Sequence, residues 1–182
     1  MTTVNESVER PRKGLLLCFT GQGKGKTTAA FGIAFRALGW NMNVAIVQFI
    51  KGKWITGERI YAESLPGLTF RVMGRGFTWE SDDISRDKQA AAQAWEESKG
   101  LIAAGAHDIV ILDELTYVIN YGFVPLDEIM QALTARPAHV HVVVTGRKAP
   151  EALLAACDLV TDMAAVKHPY ASGVAAQKGI DF

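Results

Sequence analysis

A short apolar strand that runs straight into a glycine-rich, lysine-bearing turn and then into a helix leaves a chain few architectures to choose from. Here Leu15–Phe19 leads into Thr20-Gly21-Gln22-Gly23-Lys24-Gly25-Lys26-Thr27-Thr28, and a helical pattern begins at Ala29-Ala30-Phe31. Glycines let the backbone turn its N–H groups inward, and a helix N-terminus adds positive potential. Together they hold phosphate. In that setting Lys26 supplies a compact cation for phosphate oxygens, and the Thr27 hydroxyl supplies a ligand for magnesium. A plain glycine-rich turn would need neither the strand before it nor the Gly-Lys-Thr-Thr run inside it. The loop is one residue short of the usual pattern. Gly-x4-Gly-Lys-Thr would put its first glycine at position 20, where Thr20 stands. A kinase-like seating of a nucleotide does not follow from such a loop.

Similar apolar runs recur at Val44–Phe49, Leu68–Met73, Ile109–Leu112, Val140–Thr145 and Leu159–Met163. Most are unbroken rather than alternating, the mark of parallel strands buried on both faces. Between them lie helical spacings. Ala91, Ala94, Trp95, Ser98, Leu101 and Ile102 share one face before Gly105 ends the run, and Leu126, Ile129, Met130 and Leu133 repeat the pattern. Pro125 suits a first helical turn, and Asp127 and Glu128 sit where a helix N-terminus favours negative charge. Alternating strands and helices predict an α/β fold with an open, doubly wound, mainly parallel sheet flanked by helices. Ligands of such sheets bind beyond the carboxyl ends of the strands.

Composition narrows the partners. Of 182 residues, 49% are hydrophobic and 21% charged, which is the make-up of a globular domain and excludes a disordered chain. Nineteen Lys and Arg balance nineteen Asp and Glu, so no broad electrostatic pull toward nucleic acid or an anionic membrane is expected. No apolar run approaches the ~18 residues of a membrane helix. The segment 1–13 is polar and reads as a flexible N-terminal extension, with 14–182 as the folded domain. Cys18 and Cys157 form neither a disulfide framework nor a metal motif, and two thiols in a reducing cytoplasm are expected.

Two further stretches carry chemistry. Asp108-Ile109-Val110-Ile111-Leu112-Asp113-Glu114 is a buried strand ending in two acids, the usual second half of a phosphate-binding NTPase site. Either carboxylate could hold magnesium, directly or through water, and spacing does not choose between Asp113 and Glu114. Gly74-Arg75-Gly76-Phe77-Thr78-Trp79-Glu80 makes a poor helix and a plausible exposed loop whose aromatics could cover a planar ligand or fold into the core. The four histidines show no metal spacing and read as structural or solvent-facing.

These residues occur in a familiar order. Thr20-Gly-Gln-Gly-Lys-Gly-Lys-Thr-Thr-Ala-Ala-Phe-Gly32 is followed by Val47-Gln-Phe-Ile-Lys-Gly52, Gly76-Phe-Thr-Trp-Glu80, Leu112-Asp-Glu-Leu-Thr-Tyr117, Thr145-Gly-Arg147 and Val166-Lys-His-Pro169 to Gly179-Ile-Asp-Phe182. Over roughly residues 14–182 the chain resembles the P-loop type of ATP:corrinoid (cob(I)alamin) adenosyltransferase. Gln22 stands where the family has an asparagine, one methylene shorter; the short loop is shared with the family.

The resemblance implies a single-domain P-loop NTPase-like (RecA-like) fold. It also implies a reaction in which cobalt(I) of a reduced corrinoid attacks the ribose 5′ carbon of ATP and inorganic triphosphate leaves, in adenosylcobalamin biosynthesis or salvage. ATP would sit reversed relative to other P-loop proteins. Carried over by position, Gly21, Gln22, Gly23, Lys24, Gly25, Lys26, Thr27 and Thr28 become the triphosphate cradle, with Lys26 stabilising the leaving group. Arg36 becomes a further ATP contact. Thr27 and Glu114 become the magnesium ligands, with Asp113 beside them. Phe77 and Trp79 match aromatics that crowd the lower face of the corrin. A homodimer and an electron-donating flavoprotein partner are implied as well. The glycine loop and the two acids alone would serve a kinase or NTPase acting on a small metabolite equally well, and an ATP- or corrinoid-binding carrier is a non-enzymatic alternative.

Overall fold

The computed structural model describes residues 13–50, 52, 55–74 and 84–182. Six parallel strands form one sheet: β1 (Leu16–Thr20), β2 (Val44–Gln48), β3 (Leu68–Val72), β4 (Ile109–Asp113), β5 (His141–Thr145) and β6 (Leu159–Asp162). Their spatial order is β3-β2-β4-β5-β1-β6. Every expected strand is present, within a residue or two of its apolar run.

Among the described residues six α-helices connect them: α1 (Lys26–Leu38), α2 (Gly57–Ala62), α3 (Ile84–Ala104), α4 (Leu115–Asn120), α5 (Leu126–Thr134) and α6 (Glu151–Ala156). Successive strand residues point to opposite faces, so the central strands β1, β2, β4 and β5 feed two cores. Phe19, Val44, Ile46, Ile111 and Val143 meet the Ala30, Phe31, Ala34 and Ala37 stripe of α1. On the other face Cys18, Val47, Leu112 and Val144 meet Trp95 of α3, Leu115 of α4 and Ile129 and Leu133 of α5. The alanine stripe brings α1 close to the sheet and so fixes the turn before it. The Trp95 indole N–H donates to Glu128 at 2.8 Å and Lys99 bonds the same carboxylate at 2.9 Å, tying α3 to α5. Gly105, at φ +61°, ends the α3 segment in the left-handed region that glycine adopts at little steric cost.

Two expectations change. Pro125 does not open the first turn of α5; it precedes it as the N-cap with extended backbone, φ −60° and ψ 135°. Strand β6 is not buried on both faces. It pairs only with β1, at the sheet's margin, and all four of its residues are exposed. An apolar run alone does not tell an edge strand from a central one.

Candidate functional site

The order of strands assembles the site. β5 lies between β1 and β4, so the glycine loop after β1 and the acids at the end of β4 flank the end of β5. The chain leaves β1 through Gly21 at φ +96° and enters α1 from Gly25 at φ +116°. Among the described residues no side chain caps α1, and its first turn carries no acid. The leading N–H groups of the helix and its positive dipole end therefore face the loop without a neutralising partner of their own.

Lys26 lies in this first turn and is 6% exposed. Its ammonium donates to Gly21 O at 2.8 Å and Gly23 O at 2.6 Å, closing the loop around itself. Burial lowers its pKa below the ordinary lysine range. The charge of Glu114 works against that shift, Arg147 adds to it, and Asp162 again opposes it. Three charged groups from three parts of the chain thus act on the Lys26 ammonium.

The two acids divide their work. Asp113 is 1% exposed. Its Oδ1 accepts from the Thr27 hydroxyl and the Thr145 hydroxyl, each at 2.8 Å, and its Oδ2 accepts from the Gln48 amide at 2.8 Å. A carboxylate with three donors is a fixed anchor, and it sets the rotamer of Thr27. Glu114 turns the other way. Its backbone takes φ +65°, strained for a glutamate, and its N–H donates to Thr145 Oγ1 at 2.9 Å. Its carboxylate packs beside Gly146, where an added Cβ would come within 3.2 Å of Oε2 and 2.0 Å of Thr116 Oγ1. Gly146 sits at φ +139°, so only glycine fits that position.

Chain that follows β6 forms the outer wall. Gly23 N–H donates to Met163 O at 2.6 Å. A Cβ on Gly23 would meet Ala164 O at 2.5 Å, and one on Gly21 would meet Asp162 Oδ1 at 2.5 Å. Gly21 and Gly23 are thus required by the protein's own packing around the loop. Lys24, also on the loop, is ion-paired with Asp181 near the chain end. Gln22 is exposed and lines an open cleft with Lys148 and Asp162. Thr28 points outward on the first turn.

Not every residue singled out by sequence joins this cluster. Arg36 is exposed in the last turn of α1, about 15 Å along the helix axis from Lys26 at the standard rise per residue. Phe77 and Trp79 lie outside the described residues, as does residues 1–12 of the N-terminal extension. Gly74 is the last described residue before them. A Cβ there would sit 2.3 Å from the backbone carbon of Ile50, so this glycine is required by the close approach of that backbone. Gln48, Thr145, Gly146 and Asp162 also stand in the cluster, and the sequence alone assigns them no role there. The signal that could find them is the pair of motifs Val47-Gln-Phe-Ile-Lys-Gly52 and Thr145-Gly-Arg147, which covers all but Asp162.

The family described as ATP:corrinoid adenosyltransferase BtuR/CobO/CobP matches residues 12–182. The chain belongs to this family. It is 47% identical to corrinoid adenosyltransferase CobA of Salmonella typhimurium over 93% of this chain and 86% of that one. It is 44% identical to the corrinoid adenosyltransferase of Pseudomonas aeruginosa, over 98% of this chain and 90% of that protein. Among solved structures, the flagellar accessory protein FlaH of Methanocaldococcus jannaschii superposes with a TM-score of 0.58 at 15% identity, covering 83% of this chain and 71% of that one. That likeness concerns the fold alone, which is P-loop NTPase-like (RecA-like) as expected.

The adenosyltransferase site suits a hard divalent cation. Thr27 gives its hydroxyl hydrogen to Asp113 and keeps its lone pairs for a metal, and Glu114 offers an oxygen ligand close to Lys26. Among the described residues no group of three or more His, Cys, Asp or Glu gathers as a closed metal cage. Magnesium characteristically needs none, being held by one or two protein oxygens together with substrate phosphates.

Proposed function

We propose that this chain transfers the 5′-deoxyadenosyl group of ATP to cobalt(I) of a reduced corrinoid and releases inorganic triphosphate. Corrinoid adenosylation is the activity its relatives are named for. The observation that carries the reading is the meeting of Lys26, Thr27, Asp113 and Glu114 at one end of the sheet in a member of this family.

In this reaction a cobalt–carbon bond forms with the electron pair of cobalt(I), and the bond between C5′ and the triphosphate oxygen breaks. The corrinoid supplies the nucleophile, so no side chain has to be activated as one. What remains for the protein is alignment and stabilisation of the charge that grows on the leaving triphosphate. Lys26, Lys24 and the amides of Gly21–Thr28 meet that charge. Thr27 and Glu114 are the proposed magnesium ligands, with Asp113 holding Thr27 in place; bound there, the ion would neutralise phosphate oxygens. Arg36 is proposed as a more distant ATP contact. Phe77 and Trp79 are proposed to take the lower face of the corrin, where excluding the lower axial ligand eases reduction of cobalt(II). The active form is proposed to be a cytoplasmic homodimer with 14–182 as its catalytic domain, and a flavoprotein is proposed to supply the electrons that reduce the corrinoid cobalt. No helix among the described residues is long and apolar enough to cross a membrane.

The test is anaerobic incubation of the protein with ATP, magnesium and cobalt(I) cobalamin, with both products identified. Adenosylcobalamin and triphosphate are expected. ADP would mark a kinase or NTPase, and tight binding without turnover would mark a carrier.

A further inference from the structure

The last six residues fold onto the phosphate loop. Residues 177–182 form a closed turn in which Gly179 N–H bonds Phe182 O at 2.7 Å and Asp181 N–H bonds Gln177 O at 2.8 Å. Within that turn both oxygens of the Asp181 carboxylate are committed. Oδ2 accepts the Gln177 backbone N–H at 2.8 Å, and Oδ1 takes the Lys24 ammonium. The side chain of Asp181 is only 18% exposed, whereas that of Lys24 is 44% exposed. The carboxylate is therefore the fixed partner, and the lysine is the one free to leave.

The contact spans most of the sequence, yet it does not stand alone. Gly23, next to Lys24, bonds Met163 O, and the backbone of Met163 and Ala164 packs against the same glycine. Thus the segment after β6 touches the loop at two successive residues, once through backbone and once through charge. Only the second contact engages a cation that a polyphosphate would also seek.

We propose that Asp181 is a positioning residue that competes with the triphosphate for Lys24, so that the C-terminal turn weakens the loop's hold on polyphosphate and favours release of the product. The proposal rests on the reading of Gly21–Thr28 as the triphosphate cradle. Its physical content is a charge exchange. When phosphate oxygens take the ammonium, the ion pair breaks and Asp181 is left beside a polyanion. Removing the carboxylate charge removes both obstacles. An exposed or half-exposed ion pair corresponds to about a twofold to fivefold change in affinity.

The experiment measures binding of magnesium–ATP and of magnesium–tripolyphosphate by titration calorimetry, with melting temperature as the check on folding. Asp181→Asn is the central variant, since asparagine keeps an oxygen for the Gln177 N–H while losing the charge. It is expected to bind both ligands about twofold to fivefold more tightly than the natural chain and to be inhibited by tripolyphosphate at correspondingly lower concentration. Asp181→Glu, which restores the charge, is expected to return toward natural affinity. In a Lys24→Met background, Asp181→Asn is expected to gain clearly less, because the competed cation is gone and only the repulsion between carboxylate and polyanion remains to be relieved.

Unchanged or weaker binding by a folded Asp181→Asn chain overturns the proposal. So does an equal gain in the Lys24→Met background, which would mean that the carboxylate acts through space and not through Lys24. A natural chain that binds neither ligand, although folded, overturns the triphosphate reading itself and this proposal with it.

Discussion

Polar side chains close the sheet at both of its ends, but they close it in different ways. At the amino end, Arg136 donates to Leu133 O at 2.7 Å, Gly14 O at 2.9 Å and Val140 O at 3.2 Å. His141 Nδ1 accepts the Leu15 N–H at 3.0 Å, and Asp158 Oδ2 accepts the Leu16 N–H at 2.9 Å. There the side chains end largely on backbone groups, at the strand starts and at the end of α5, with Asp158 also ion-paired to Lys13. At the carboxyl end they end on one another: Thr27, Thr145 and Gln48 on Asp113, with Glu114 held at positive φ beside Gly146. The first arrangement satisfies strand ends and asks for nothing more. The second concentrates charge, buries a lysine and stores backbone strain, which is what a site for a charged ligand requires.

The sharpest way to break the comparison is to remove the buried cation. Lys26→Ala should lower adenosyl transfer by about a hundredfold to a thousandfold, as loss of one preorganised charge partner does when charge develops in the transition state. Its melting temperature should stay close to that of the natural chain. Steady-state kinetics on the purified, folded variant decide the matter, and near-normal turnover would remove Lys26 from its role.

A pair of isosteric changes sharpens the division between the two acids. Glu114→Gln should raise the magnesium concentration needed for half-maximal activity more than Asp113→Asn does. Asp113→Asn should instead lower stability by about 1–3 kcal/mol, because its new amide N–H2 faces groups that are already donors. Activity against magnesium, paired with thermal unfolding of both variants, separates the two. A larger magnesium shift for Asp113→Asn would exchange the roles.

The amino end could not be foreseen from sequence, and the carboxyl end only in part. Strands were legible because apolar runs such as Val140–Thr145 are unbroken, and the loop was legible because glycines, Lys26 and Thr27 fall in one continuous stretch. The insertion of β5 between β1 and β4 was not legible. That neighbourhood places Thr145 on Asp113 although they lie 32 residues apart. Helix α4 escaped as well, since six residues from Leu115 to Asn120 are too few to show a period. The wall formed by Met163 and Ala164 acts through backbone atoms, and backbone contacts leave no residue-type signature except the glycine they press against.

A smaller effect is expected from cutting the amino-end clasp. Arg136→Ala removes a donor from three carbonyls at a mostly buried position, at about 1–3 kcal/mol of stability. The kinetic constants for ATP and corrinoid should not move, because the clasp lies at the opposite end of the strands from Lys26. A lowered turnover at full folding would show that the two ends are coupled, and the contrast drawn between them would fail.

The smallest effect is expected at Asp158, and its signature is pH. The Lys13 ammonium, followed by the Leu16 backbone N–H, holds this carboxyl below the ordinary aspartate range. A carboxyl whose pKa is lower in the folded chain is protonated first in the unfolded one as acid is added. Its stabilising contribution is therefore complete above the ordinary aspartate pKa of about 3.9 and fades as pH falls through the lowered folded value. Asp158→Asn should melt slightly below the natural chain at neutral pH, and the gap should narrow as pH falls below about 4. The pair with Lys13 is exposed on the lysine side, so added salt should narrow the gap too. Thermal melts of both chains across that range, at low and high salt, carry the test. A gap independent of pH and salt would mean that Asp158 acts through shape and not through charge, and adenosyl transfer should be unaffected in either case.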